Sequence, residues 1–160
     1  MPKDKPYSVL FVCLGNICRS PLAEGVFRQL VKQRKLEDRI SIDSCGTGNW
    51  HVGKPPHVGT KAVAKKYDVS LSGIKARQVK DEDFDSFDLL VAMDQSNLSD
   101  LKRMRGAAQA NIICLREFDY NEKDLNVPDP YYGGPEGFEE VYNIVDRCCR
   151  ELLDEIEKDL

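Results

Sequence analysis

Long apolar runs are missing from this sequence. None approaches the roughly 18 residues that a membrane-spanning helix requires, so no membrane partner is expected. The first residues, Met1-Pro2-Lys3-Asp4-Lys5-Pro6, carry charge and two prolines but no apolar stretch, so no secretory signal is expected and the location reads as cytoplasmic. Basic excess is missing too. With 23 Lys and Arg against 27 Asp and Glu the net charge is −4, and the pI is about 5.3. That balance argues against a general nucleic-acid binder. It leaves a phosphate ligand open, because surface charge is screened beyond about 8 Å while local donors are not.

Histidine is scarce. His51 and His57 are the only two, and neither falls in a metal-ligand or nucleophile–base spacing, so both read as solvated loop residues. No metal and no cofactor is called for. Six cysteines, at 13, 18, 45, 114, 148 and 149, are too sparse for a disulfide scaffold in 160 residues. Cys114 reads as a small buried hydrophobe. Cys148 and Cys149 receive no role.

What is present is an ordinary globular composition, 41% apolar and 31% charged, sized for one domain over residues 1–160. Val9-Leu10-Phe11-Val12 is a β-branched apolar run of the kind buried on both faces. Ser20-Pro21 then reads as a helix cap followed by proline at the first helical position. Ala23, Val26, Phe27 and Leu30 continue that helix at i, i+3, i+4 and i+7, to about Lys35. Ile40 to Asp43 is a second strand, His57 to Tyr67 a helix, and Leu89 to Met93 a third strand. Ser96 to Met104 is helical, Ala110 to Leu115 a fourth strand, and Gly137 to Lys158 a last amphipathic helix. The acidic cluster Asp81-Glu82-Asp83 with Asp85 reads as a solvated helix start. Strands alternating with helices predict right-handed crossovers and a parallel sheet covered on both faces. Residues 118–137 form the one long irregular stretch, a length that is usually functional or disordered.

Between the first strand and its helix lies Cys13-Leu14-Gly15-Asn16-Ile17-Cys18-Arg19-Ser20. Open α/β sheets bind ligands beyond the carboxyl ends of their strands, and this loop feeds a helix N-terminus whose unpaired amides suit phosphate. Gly15 permits close backbone approach, and Asn16 tolerates positive φ. A thiol beside a helix N-terminus and an arginine is favoured as the nucleophilic thiolate. Arg19 offers a planar fork for two phosphate oxygens, and Ser20 a hydrogen bond to the sulfur. Cysteine and arginine six residues apart is a weak signal alone. Only Cys13 satisfies it, and its strand, glycine and Ser-Pro context carry the weight. A Walker-type loop fails, because no lysine lies between Lys5 and Lys32.

A thiolate attacking phosphorus leaves an alkoxide or phenolate that needs a proton. Asp129, held between Pro128 and Pro130, is a candidate acid and then base. Asp-Pro is equally a common turn pair, so the residues alone leave both readings open. Tyr131, Tyr132 and Trp50 read either as walls for an aryl ring or as ordinary surface aromatics.

Together these residues resemble the low-molecular-weight protein tyrosine phosphatases, and the likeness runs over nearly the whole chain. The segment at 9–21, Asp43-Ser44, Trp50, Ala76-Arg77-Gln78, Met93-Asp94, Ser96-Asn97-Leu98 and Asp129-Pro130-Tyr131-Tyr132-Gly133 carry it. The resemblance implies a flavodoxin-like three-layer α/β sandwich with a four-stranded parallel sheet in the order 2-1-3-4. It implies Cys13 as nucleophile, Arg19 as phosphate clamp and Asp129 as general acid, with the amides of Leu14, Gly15, Asn16, Ile17, Cys18 and Arg19 holding phosphate. Asn16, Ser20 and Ser44 match the network that shapes the loop. Cys18 matches a cysteine that pairs reversibly with the nucleophile on oxidation, and Trp50, Tyr131 and Tyr132 match the pocket walls. The partners implied are phosphotyrosine proteins, small aryl phosphates, and inorganic phosphate or other oxyanions.

Ile74 departs from the family pattern, which often has a buried histidine there. A water or a rearranged partner is therefore expected to complete the network around Asn16, Ser20 and Ser44. Three other activities fit less well. An arsenate reductase needs further cysteines after the third strand, and none lies between Ile74 and Gly106. A protein-arginine phosphatase tends to carry threonine in place of Ile17. A catalytically dead phosphate binder is expected to have lost Cys13, Arg19 or Asp129.

Overall fold

In a computed structural model, which describes residues 5–106, 108 and 110–160, the first strand β1 (Tyr7–Cys13) is the spine of the sheet. It pairs in parallel with β2 (Ile40–Gly46) on one side and β3 (Leu89–Ala92) on the other. A fourth strand, β4 (Asn111–Cys114), pairs in parallel with β3. The order is β2-β1-β3-β4, as the sequence implied. Met1 to Asp4, on which the expectation about a leader partly rests, lie outside the described residues. Among the described residues no helix is long and apolar enough to cross a membrane.

Alternation along β1 builds a core on each face, since successive side chains point to opposite sides. Val9, Phe11 and Cys13 face α1 (Arg19–Gln33), α2 (Val58–Lys66) and α5 (Pro135–Glu157). Phe11 meets Phe27 of α1 edge-on, with centroids 5.4 Å apart. Leu10 and Val12 face the other way, against Phe84 of the short α3 (Asp83–Ser86) and Leu101 of α4 (Gln95–Arg105). The expected helices and strands are all present, with ends shifted by at most three residues. The single-turn α3 lies where the acidic cluster was read as a helix start.

Three departures bear on the loop. Helix α1 begins at Arg19, so Ser20 is not its cap; no side chain caps this N-terminus. Pro21 falls within the first turn, where a missing N–H costs no helical hydrogen bond. Strand β2 runs on past Asp43 to Gly46, because the ladder with β1 continues through Val12–Cys45 and Cys13–Gly46. Pairing there overrides the poor strand propensity of Ser-Cys-Gly. The acidic cluster is also not simply a solvated helix start. Asp83 is buried and receives both arms of the Arg77 fork, at 3.0 and 3.1 Å, and the Lys80 N–H at 2.9 Å.

The irregular stretch after β4 is tied down. A one-turn 3-10 helix (Leu115–Phe118) leads into it, and ion pairs from Arg116 and Arg147 hold its start. Helix α5 then begins at Pro135, two residues earlier than its periodicity indicated.

Candidate active site

At the carboxyl end of β1 the chain turns through residues 14–18 and enters α1. This turn forms the floor of a cavity of about 390 Å³. Its lining brings together Cys13, Leu14, Gly15, Ile17, Cys18, Arg19, Trp50, Asp129, Tyr131 and Tyr132, all singled out in the sequence, and adds His51. Asn16, Ser20 and Ser44 lie behind the floor and are buried. Among the described residues no cluster of three or more His, Cys, Asp or Glu side chains is placed to hold a metal ion.

The floor is shaped by close backbone approach. Asn16 adopts φ of 56°, a left-handed conformation that asparagine tolerates better than most residues. Gly46, opposite Cys13 in β2, abuts the turn: a Cβ there would stand 2.6 Å from the Leu14 carbonyl oxygen. Glycine is therefore required at 46. At Gly15 the limiting neighbour is a side chain, since a Cβ would meet His51 Cδ2 at 2.9 Å.

Two groups address the Cys13 sulfur. The Asn16 N–H donates to it at 3.3 Å, and Ser20 Oγ lies 3.0 Å away. Ser20 Oγ already accepts from Asn16 Nδ2 at 2.8 Å, so its own proton can go to the sulfur or to the Cys45 carbonyl, 3.4 Å away. The same Nδ2 donates to Ser44 Oγ at 3.0 Å. Ser44 in turn donates to Glu24 Oε1 at 2.6 Å, and Asn16 Oδ1 accepts the Arg77 N–H at 3.0 Å. Glu24 is buried within α1 and is also held by Arg28 at 2.8 Å. The partner sought in place of a histidine is thus Glu24, supported by the backbone of Arg77. Ile74 is buried.

Arg19 is buried, and its Nη1 is fully occupied. It donates to Asp94 Oδ2 at 2.8 Å and to the Val127 carbonyl at 2.9 Å. Nη2 lies 3.9 Å from Asp129 Oδ2, leaving that nitrogen and Nε for a ligand. Burial disfavours the guanidinium charge, yet Cys13 and Asp94 outweigh it and raise its pKa. Asp94 does two jobs: its other oxygen caps α4 by accepting from the Asn97 N–H at 2.7 Å. Asp129 is half exposed and accepts from the Tyr131 N–H at 3.1 Å.

The rim is aromatic. Tyr131 packs edge-on to Tyr132, with centroids 4.7 Å apart, while Tyr132 and Trp50 are largely exposed. Here the reading of His57 as a solvated loop residue is overturned, while His51 lies in a turn and stays partly exposed. His57 caps α2 through Nδ1, which accepts from the Gly59 N–H at 3.0 Å, and its ring stacks on Phe138 and meets Tyr131 edge-on. His51 stands in the cavity wall, 5.9 Å from the Tyr131 ring.

The remaining thiols are poor nucleophiles. Burial pushes Cys18 up to about 12, assisted by Cys13 and Asp129. Burial likewise raises Cys45, Cys114, Cys148 and Cys149. Cys148 and Cys149 belong to the core beneath α5.

Sequence reasoning gave no site role to Glu24, Asp94, His51 or the Val127 carbonyl. Glu24 carried a signal: it stands four residues after Ser20, on the same helix face, inside an apolar stripe. Asp94 follows β3 at a strand's carboxyl end, the usual location of ligand-handling groups.

Comparisons with known proteins converge. Residues 8–160 match the family described as low molecular weight phosphotyrosine protein phosphatase. The chain is 48% identical over 154 residues to low molecular weight protein-tyrosine-phosphatase YfkJ of Bacillus subtilis, covering 95% of this chain and 97% of that one. It is 42% identical over 157 residues to low molecular weight phosphotyrosine protein phosphatase of Homo sapiens, covering 96% and 98%. The crystal structure of YfkJ from Bacillus subtilis is similar with a TM-score of 0.91 at 44% identity, over 97% of each chain.

Proposed function

The chain belongs to the low molecular weight phosphotyrosine protein phosphatase family, and on that premise we propose that it hydrolyses phosphotyrosine through a phosphocysteine on Cys13. The cavity floor holds the phosphate with the amides of residues 14–19, and the free arm of Arg19 binds two of its oxygens. The Cys13 thiolate attacks phosphorus in line with the bond to the tyrosine oxygen. A phosphorus–sulfur bond forms, the phosphorus–oxygen bond breaks, and Asp129 gives its proton to the departing phenolate. Asp129, now a carboxylate, takes a proton from water, which attacks the phosphocysteine and releases inorganic phosphate and the thiolate. Asn16, Ser20 and Ser44 hold the floor in shape. Trp50, Tyr131 and Tyr132 flank the aryl ring.

The observation that carries this reading is the meeting of three groups in one cavity. A thiol met by a backbone N–H and a serine hydroxyl, a buried arginine with one arm free, and a carboxylate 3.9 Å from that arm share the site. The chain works as one domain, residues 1–160, in the cytoplasm, on phosphotyrosine proteins. Small aryl phosphates serve as alternative substrates and inorganic oxyanions as competitors, with no role for nucleic acid or membrane.

Oxidation supplies a switch at the same site. A peroxide converts the Cys13 thiolate to a sulfenic acid and releases hydroxide. The Cys18 thiol then displaces water from that sulfur, giving a Cys13–Cys18 disulfide that a dithiol reductant reopens.

A turnover assay on phosphotyrosine, phosphoserine and phosphoarginine peptides, with arsenate as a fourth substrate, tests the assignment. Only the phosphotyrosine peptide is turned over efficiently on this reading. Faster turnover of phosphoarginine or arsenate contradicts it.

A further inference from the structure

The peptide group between Asn126 and Val127 is gripped from two sides. Its carbonyl accepts from Arg116 Nη1 at 2.8 Å, and its N–H donates to the Met93 carbonyl at 2.8 Å. The next carbonyl, that of Val127, accepts from Arg19 Nη1 at 2.9 Å. Two buried arginines therefore hold consecutive carbonyls. Asp129 follows after a single intervening residue, Pro128, and precedes Pro130. Prolines fix φ and restrict the residue before them, so a shift at 126–127 is passed on to Asp129 rather than absorbed.

Arg116 is itself rigidly mounted. Its Nε donates to Asp119 Oδ2 at 2.9 Å, and its Nη2 to Glu122. Asp119 has no exposed side-chain surface and accepts from Arg147 of α5 at 2.9 and 3.1 Å. The chain of contacts runs from α5 through Asp119 and Arg116 to the segment carrying the acid.

We infer that Arg116 is a positioning residue for proton transfer by Asp129, fixing where that carboxyl stands over the leaving group. The inference rests on the reading of Asp129 as general acid. An arginine buried only for stability has no need to bond a loop carbonyl three residues from a catalytic group. The fork at 116 spends one arm on Asp119 and another on that carbonyl.

The test compares kcat/KM, which reports steps up to phosphoryl transfer, for phenyl phosphate and 2,4-dinitrophenyl phosphate. The first leaving group needs a proton and the second does not. Arg116→Met leaves Asp119 paired with Arg147, so the buried carboxylate keeps a partner. It is expected to lower kcat/KM for phenyl phosphate about 10-fold or more, the scale of a small misplacement. For the dinitrophenyl ester the change stays within about twofold, because protonation contributes little there. Arg116→Lys keeps the cation but cannot reach all three partners, and shows the same selective loss if the methionine variant folds poorly. In an Asp129→Ala background neither substitution costs anything further, as expected of residues acting through one group. Equal losses on both esters, or no loss on phenyl phosphate, overturn the proposal. If Asp129→Ala itself leaves the ratio of the two esters unchanged, the acid assignment falls first and takes the proposal with it.

Discussion

Ser44 donates its hydroxyl proton to Glu24 at 2.6 Å, and this one contact sets the direction of the hydrogen bonds that run through Asn16 to Ser20, beside the Cys13 sulfur. A carboxylate only accepts, so Ser44 must donate to it and accept from Asn16. The Asn16 amide is thereby oriented with Nδ2 toward the two serines and Oδ1 toward the Arg77 N–H. Ser20, accepting from the same Nδ2, keeps its proton for the sulfur 3.0 Å away or for the Cys45 carbonyl at 3.4 Å. The network is directional from its far end.

Glu24→Gln therefore does more than remove a charge. A glutamine amide can donate to Ser44 and reverse the chain, leaving one buried donor facing another. The expected cost is about 1–3 kcal/mol of stability, the penalty of a buried unsatisfied group, with slower alkylation of Cys13 by iodoacetate. Thermal unfolding and labelling rates at neutral pH check this. An unchanged labelling rate contradicts the directional role.

Gly46→Ala is expected to damage the phosphate floor although residue 46 touches no substrate. Its Cβ would stand 2.6 Å from the Leu14 oxygen, and 3.1 Å and 3.2 Å from backbone atoms of Gly15 and Asn16. Backbone cannot yield as a side-chain tip can, so the turn must move. A loss of about 10²-fold in kcat/KM is expected for a displacement of this kind, with weaker competition by inorganic phosphate.

Asp119 links stability to acid. Burial by itself would raise its pKa, but hydrogen bonds from Arg147 and Arg116 outweigh that and hold it well below the usual carboxylate range. A depressed folded pKa contributes stability that is fully present above the unfolded value, about 3.9, and is lost as pH falls through the folded value. The wild-type Tm is thus expected to fall steeply below about pH 4. Asp119→Asn starts from a lower Tm at neutral pH and falls less steeply. Parallel Tm profiles for the two proteins contradict this linkage.

Alkylation is expected to be confined to one residue at neutral pH. Cys18 is pushed up to about 12 by burial, and Cys45, Cys114, Cys148 and Cys149 are buried and raised as well. Limited iodoacetate should modify Cys13 alone, and inorganic phosphate should protect it. Peptide mapping reads the site. Labelling of Cys18 at a comparable rate contradicts the assignment.

Much of this was legible in the residues. The sheet order followed from the resemblance, and the loop from a local strand–turn–helix pattern that needs only neighbours in sequence. The surroundings were less legible because they are made at long range. Arg19 meets the Val127 carbonyl across 108 residues, and Ser44 meets Glu24 across 20. Nothing in local spacing marks such pairs. His57 misled for a related reason: it is fixed by Phe138 and Tyr131, which sequence alone does not bring near. Strand β2 and the start of α1 were misjudged because ladder pairing and loop closure overrode the local Ser, Pro and Gly signals.

The most direct test of the central claim is to trap the intermediate. A phosphotyrosine peptide is mixed with the Asp129→Ala variant, quenched in acid within one turnover, and the protein digested and mapped by mass spectrometry. The account predicts a phosphoryl group on the peptide containing Cys13, on its sulfur, and none in the Cys13→Ser variant. A phosphoryl group on any other residue, or turnover by Cys13→Ser at the wild-type rate, contradicts it.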